Sequence, residues 1–270
     1  MVLFDYSREP RSDIAFVDMK SFYASCECIA LGLDPLKTSL CVMSRIENSA
    51  GLILAATPLF KKNFGSQNVS RSYNLPFDVH TRKFNYAAAR KQGLPITADY
   101  VRFIEDAAQK TLLVPPRMNY YIQKNMEIQK IFQDFAAPDD IFPYSIDEGF
   151  LDLTSSINYF IPDQTLDRRT KLDLLAARIQ QAIWKKTGIY ASIGLSNANP
   201  LLAKLALDIE AKHTKKMRVN WSYEDVPSKV WTIPTMTDFW GIGHQTATRL
   251  KKLGIHSIYD LAHFNPDILK

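Results

Sequence analysis

Between Tyr144 and Leu153 the chain reads YSIDEGFLDL, an apolar run interrupted by two adjacent carboxylates, Asp147 and Glu148. No other stretch constrains the fold so strongly, because ionised carboxylates are among the costliest groups to bury. Two readings satisfy it. One is a surface hairpin with an acidic tip, and the other is a metal site on the end of a buried strand.

Other acids bear on the choice. IAFVD (14–18) alternates and is rich in apolar residues, so it reads as a short buried strand ending on Asp18. Gly149 permits a tight or bulged backbone beside the acid pair, which would let neighbouring side chains converge. Three carboxylates gathered on strand ends repel one another unless a cation neutralises them. Oxygen-only ligands select a hard ion such as Mg²⁺, with Mn²⁺ able to substitute. Two such ions could promote an in-line phosphoryl displacement.

The surrounding pattern is mixed. SLCVMS (39–44) and GLILAA (51–56) read as strands joined by RIENSA, and DIFPYSI and EGFLDL as strands flanking the acids. Helices are expected over 21–33 with Ser21 as N-cap, 59–65 ending at Gly65, 119–135, 171–188 ending at Gly188, and 199–213. IYASIGLS (189–196) reads as a strand. Residues 66–117 carry little readable pattern. The order suggests an α+β fold of the ferredoxin-like, split βαβ kind with insertions. A boundary is expected near residue 212, where the basic run KHTKKMR gives way to small helices around WGIG.

Composition adds limits. A net charge of +5 is compatible with a polyanionic partner without demanding one. Cys26, Cys28 and Cys41 suit neither a disulfide framework nor a zinc knuckle. Neither a signal-peptide core nor an apolar run of membrane-spanning length is present, so a soluble, cytoplasmic protein without membrane partners is expected.

FVDMKSFYASCE (16–27), YSIDEGFLDLT (144–154), SIGLSNANPLLAKLA (192–206) and WGIG (240–243) together resemble the Y-family translesion DNA polymerases, in particular the UmuC-like branch of Gram-positive type. The four blocks stand in the family's order. The resemblance implies a polymerase palm over 1–20 and 81–211, fingers over 21–80 and a helical thumb over 212–270. It also implies that the little-finger domain is absent, so the chain would be an N-terminal catalytic fragment. The activity implied is lesion-bypass synthesis in DNA repair and the SOS response, with primer-template DNA and dNTP as substrates. A UmuD-like subunit and a sliding clamp are possible further partners through the missing part.

Residue by residue, the resemblance places metal ligands at Asp18, Asp147, Glu148 and the Met19 carbonyl, for two Mg²⁺ ions. Phe22 and Tyr23 fall beneath the incoming sugar, with Tyr23 as the gate against ribose; the plainer alternative is a pair of core aromatics. Lys204 matches a lysine that reaches the phosphates. The family's Tyr-x-x-Arg falls on Leu59 and Lys62, which loses a bidentate clamp. NYAAARK (85–91) offers Arg90 as the competing contact. DFWGIGHQTATRLKKLGIHSIYDLA (238–262) resembles a helix–hairpin–helix, with Gly241 and Gly243 approaching phosphate and Lys251 and Lys252 adding attraction. Two rival functions remain: an inactive DNA-binding or scaffold protein of the same fold, and another palm-type enzyme such as a nucleotide cyclase.

Overall fold

The computed structural model describes residues 5–45, 50–65 and 70–269. In chain order the strands are β1 (Ile14–Met19), β2 (Leu40–Met43), β3 (Ile53–Ala56), β4 (Leu112–Val114), β5 (Ile141–Pro143), β6 (Glu148–Asp152), β7 (Ala191–Ser196) and β8 (Arg218–Asn220). The helices are α1 (Phe22–Ala30), α2 (Pro58–Phe64), α3 (Tyr86–Gln92), α4 (Ala98–Gln109), α5 (Met118–Phe132), α6 (Ile157–Phe160), α7 (Arg168–Thr187), α8 (Pro200–Ile209), α9 (His244–Lys252) and α10 (Ile258–His263). The fold is mixed α+β, in two compact units.

The first unit holds Met1–Asp18, Lys130–Ala182 and Ala191–Lys270. Its sheet has the order β5-β6-β1-β7-β8. β1 and β6 are antiparallel, as are β5 and β6, whereas β8 joins β7 in parallel. One face of α8 covers Ile14 and Phe16 through Ala203 and Leu207. Another face, Leu202, Leu205 and Ala206, shares a core with Trp221, Ile233, Met236, Ala247 and Ile258. The boundary expected near residue 212 is therefore no break in packing. The sheet takes its last strand from beyond it, and the C-terminal helices rest on α8.

The second unit holds Met19–Gln129 and Ile183–Tyr190. β2 pairs antiparallel with β3 and parallel with β4. Cys41, Met43, Phe60, Phe77, Phe84, Ile104 and Ala108 form one buried cluster. Residues 81–129, expected with the palm, thus pack with residues 21–80 instead, because α3, α4 and β4 complete this core. The turn RIENSA lies largely outside the described residues. Ser21 precedes α1 in a left-handed conformation (φ 50°) and makes no side-chain cap. Ser25 Oγ instead donates to the Lys20 carbonyl at 2.6 Å.

Candidate active site

The register of the first unit's sheet sets the site. Asp18, at the end of β1, stands directly across from Glu148, the first residue of β6. Directly opposed antiparallel side chains lie about 5 Å apart at Cβ, so like charges there repel. The pairing is regular, without the bulge that Gly149 made plausible. Gly149 serves close approach: a Cβ there would lie 3.0 Å from the Phe142 carbonyl oxygen on β5.

Two lysines relieve the acid pair. Lys204 Nζ, on α8, lies 2.8 Å from Glu148 Oε1 and 3.0 Å from Asp208 Oδ2. Lys212 Nζ lies 3.0 Å from Asp18 Oδ2, 3.6 Å from Glu148 Oε1 and 2.9 Å from Asp208 Oδ1. Lys204 also stands over the rings of Phe16 and Tyr144, at 5.1 and 5.9 Å. Its side chain is 7% exposed, against 31% for Lys212. Lys204, expected to reach the phosphates, is thus a buried prop beneath Glu148, while Lys212, not among the expected residues, is the cation facing outward.

Protonation follows from this packing. Burial pushes the Asp18 carboxyl up to about 7, opposed by Lys212 and reinforced by its hydrogen bond to Glu148. Burial would raise Glu148 as well, yet hydrogen bonds from Asp18 and Lys204 hold it below the ordinary glutamate value. Asp18 is therefore the first of the pair to take up a proton. Asp147 is raised, chiefly by burial. Its Oδ1 accepts a hydrogen bond from Ser145 Oγ at 2.9 Å, within its own turn.

The structure brings Asp18 and Glu148 together and leaves Asp147 beside them on Ser145. Among the described residues no three acid side chains converge as a ready-made cation cage. The donor set still suits a hard divalent ion, because two carboxylates directly opposed across the sheet offer oxygen ligands whose repulsion such an ion would relieve. Lys212 and Asp208 were not singled out by motif. Lys204 and Asp208 share a face of α8 at a spacing of four, but Lys212 lies past the helix in the turn Ala211–His213, so its approach to the acids carries no periodic signal.

The remaining expected residues lie elsewhere. Met19 is buried in β1. Phe22 is buried at the start of α1, and Tyr23 is half-buried with its ring stacked on Tyr121. Lys62, near the end of α2, and Arg90, near the end of α3, are both exposed in the second unit. In the C-terminal region α9 and α10 are joined by a short turn, Gly241 has φ 89°, and Gly243 precedes α9 without a side-chain cap. Lys251 and Lys252 are exposed in the last turn of α9. Trp240 meets Tyr144 edge-on at 6.0 Å between ring centroids.

This arrangement has the fold of the Y-family DNA polymerase palm and fingers. A solved structure titled "Y-family DNA polymerase chimera Dbh-Dpo4(243-245)-Dbh" superposes with a TM-score of 0.65 at 22% identity, covering 95% of this chain and 62% of that one. The chain belongs to the impB/mucB/samB family, whose model matches residues 78–208. "DNA repair protein homolog YozK" of Bacillus subtilis (strain 168) is 33% identical over 143 residues, 53% of this chain and 98% of its own length. "Putative UV-damage repair protein UvrX" of the same strain is 33% identical over 268 residues, 99% of this chain. The chain spans about half of that relative, 54% of its length.

Proposed function

We propose that this chain carries the catalytic centre of a lesion-bypass DNA polymerase, which transfers a nucleotidyl group from a dNTP to a primer 3′-hydroxyl. The observation that carries the reading is the Asp18–Glu148 pair on neighbouring strands with Lys204 and Lys212 against it. The polymerase fold and the repair-protein names among its relatives support the same assignment.

In this reading Asp18, Asp147, Glu148 and the Met19 carbonyl would hold two Mg²⁺ ions, which supply Lewis acidity at the attacking and leaving oxygens. The protein's own groups do the rest. Lys212 reaches triphosphate oxygens as a point charge, and Lys204 fixes the Glu148 carboxylate. Tyr23 walls the sugar site so that a 2′-hydroxyl clashes. The primer oxygen bonds to the α-phosphorus, the bond to the bridging oxygen breaks, and pyrophosphate leaves with that electron pair while the hydroxyl proton passes to solvent. The α9–α10 pair acts as a helix–hairpin–helix, holding the DNA backbone through Gly241, Gly243, Lys251 and Lys252. Lys62 or Arg90 supplies a further phosphate contact.

The test is Mg²⁺-dependent primer extension on undamaged and abasic templates by wild type, Asp18→Ala and Asp147→Ala. Extension is expected from wild type and is expected to collapse in both variants. Equal extension by all three would sink the catalytic assignment. DNA binding with no extension from any of them would favour a non-catalytic scaffold.

A further inference from the structure

Glu27 is a carboxylate where the fold should exclude one. It sits on α1 between Cys26 and Cys28, both fully buried, and its own side chain is 6% exposed. Three donors compensate it. Arg117 Nε reaches Oε1 at 3.0 Å and Arg117 Nη2 reaches Oε2 at 2.6 Å, a bidentate fork. The Tyr121 hydroxyl donates to Oε1 at 2.7 Å. The guanidinium is held in turn over the Tyr120 ring, 4.5 Å from its centroid.

A strut between α1 and the start of α5 would account for the fork alone. It does not account for what Tyr121 does next. The Tyr121 ring is fully buried and lies 4.4 Å from the Tyr23 ring, with 12° between the planes. Tyr23 and Glu27 are four residues apart on α1, hence on one face. Glu27 thus fixes the hydroxyl end of the very ring on which Tyr23 rests.

We infer that the Glu27–Arg117 pair is a positioning device for Tyr23, acting through Tyr121, and that it sets how strongly the site rejects ribose. The inference rests on the reading of Tyr23 as the sugar gate. Its physical basis is stiffness. An apolar wall that can yield rejects an added hydroxyl only about 100-fold. A ring backed by a stacked partner, itself anchored to a buried charge, cannot move aside without breaking those contacts.

The experiment measures single-nucleotide insertion of dNTP and rNTP by wild type, Tyr121→Phe, Glu27→Gln, Tyr23→Ala and the Tyr23→Ala/Tyr121→Phe double variant. Tyr121→Phe keeps the ring and removes one hydrogen bond, so the dNTP:rNTP efficiency ratio should fall about fivefold. The double variant should show no loss beyond Tyr23→Ala alone. An unchanged ratio in Tyr121→Phe and Glu27→Gln, with a reduced ratio in Tyr23→Ala, would overturn the positioning role and leave the gate standing. An unchanged ratio in Tyr23→Ala would overturn both. A further loss in the double variant would show that Tyr121 acts by another route, and the inference would fall. A readout free of turnover is the ¹⁹F spectrum of fluorotyrosine-labelled protein, with the Tyr23 signal identified by its loss in Tyr23→Phe. That signal should shift or broaden in Tyr121→Phe, and a strut would leave it unmoved.

Discussion

Lys204 Nζ lies 2.8 Å from Glu148 Oε1, and Glu148 in turn faces Asp18 across the sheet. The lysine is the more buried of the two cations at the site, so it is the one whose loss leaves charge uncompensated. Lys204→Met should cost about 3 kcal/mol in stability, because it strands one partner of a buried pair. Lys212→Met should cost about 1 kcal/mol or less, because water reaches that position. The order should reverse in catalysis: Lys212→Met should raise the KM for dNTP the more of the two. Urea unfolding and steady-state insertion kinetics check both halves, and equal destabilisation by the two variants would contradict the assignment of prop and phosphate contact.

Gly194 is set by close approach. A Cβ there would lie 2.0 Å from the Ala203 carbonyl oxygen and 2.4 Å from the Leu207 nitrogen, both backbone atoms of α8. The helix must move off β7 to admit it, at a cost of about 3 kcal/mol on the scale of overpacked cores. Because α8 carries Lys204 and Asp208, Gly194→Ala should reduce extension activity even where the protein remains folded. Thermal melting followed by extension below the transition distinguishes this from simple unfolding. Wild-type activity in folded Gly194→Ala protein would show that the site tolerates the shift.

Much of this was legible in the sequence, for physical reasons that differ by residue. The apolar run of IAFVD marks a strand buried on both faces, and alternation in EGFLDL marks one whose register cannot slip by a residue without turning the core outward; both carry the acids at their ends. The acids' pairing with Lys212 was hidden because it depends on where the chain goes after α8, and the basic run there reads equally well as a solvated linker. α4 does carry a stripe, with Tyr100, Val101, Ile104, Ala107 and Ala108 all packed on the second unit's core, and it was hidden among the short apolar pieces of residues 66–117. β8 was missed because three residues added in parallel carry no period of their own. The hydroxyl expected to cap α1 failed for a local reason: Ser21 is left-handed, whereas a capping residue takes an extended backbone.

The α10 cap should be acid-sensitive. Asp260 accepts from the backbone nitrogens of His256 and Ser257 at 3.0 and 2.9 Å, and Ser257 Oγ accepts from Asp260 N at 3.0 Å. The hydrogen bond from His256, with those of Ser257, holds the Asp260 carboxyl below its ordinary value. A depressed folded value means the contribution is present above the ordinary aspartate range and is lost as pH falls through the folded value. Amide exchange at His256 and Ser257 should therefore gain protection with rising pH, after correction for intrinsic rates, and Asp260→Asn should abolish that dependence. A pH dependence retained in Asp260→Asn would assign it to another group.

Lys251 and Lys252 stand exposed in the final turn of α9, whose start follows Gly243 with no side chain capping its first amides. If both lysines neutralise phosphates, each releases counterions, and the logarithm of affinity falls with log salt by about 0.9 per phosphate contacted on duplex DNA. The Lys251→Ala/Lys252→Ala variant should thus bind primer-template more weakly and flatten that slope by about 2 units. The loss should be the same for unrelated sequences, since phosphate contacts carry no sequence information. Fluorescence anisotropy across a salt series gives the slope directly. Weaker binding with the slope intact would mean that the lysines act on the fold of the helix pair, and backbone contact would then have to be sought elsewhere on the first unit.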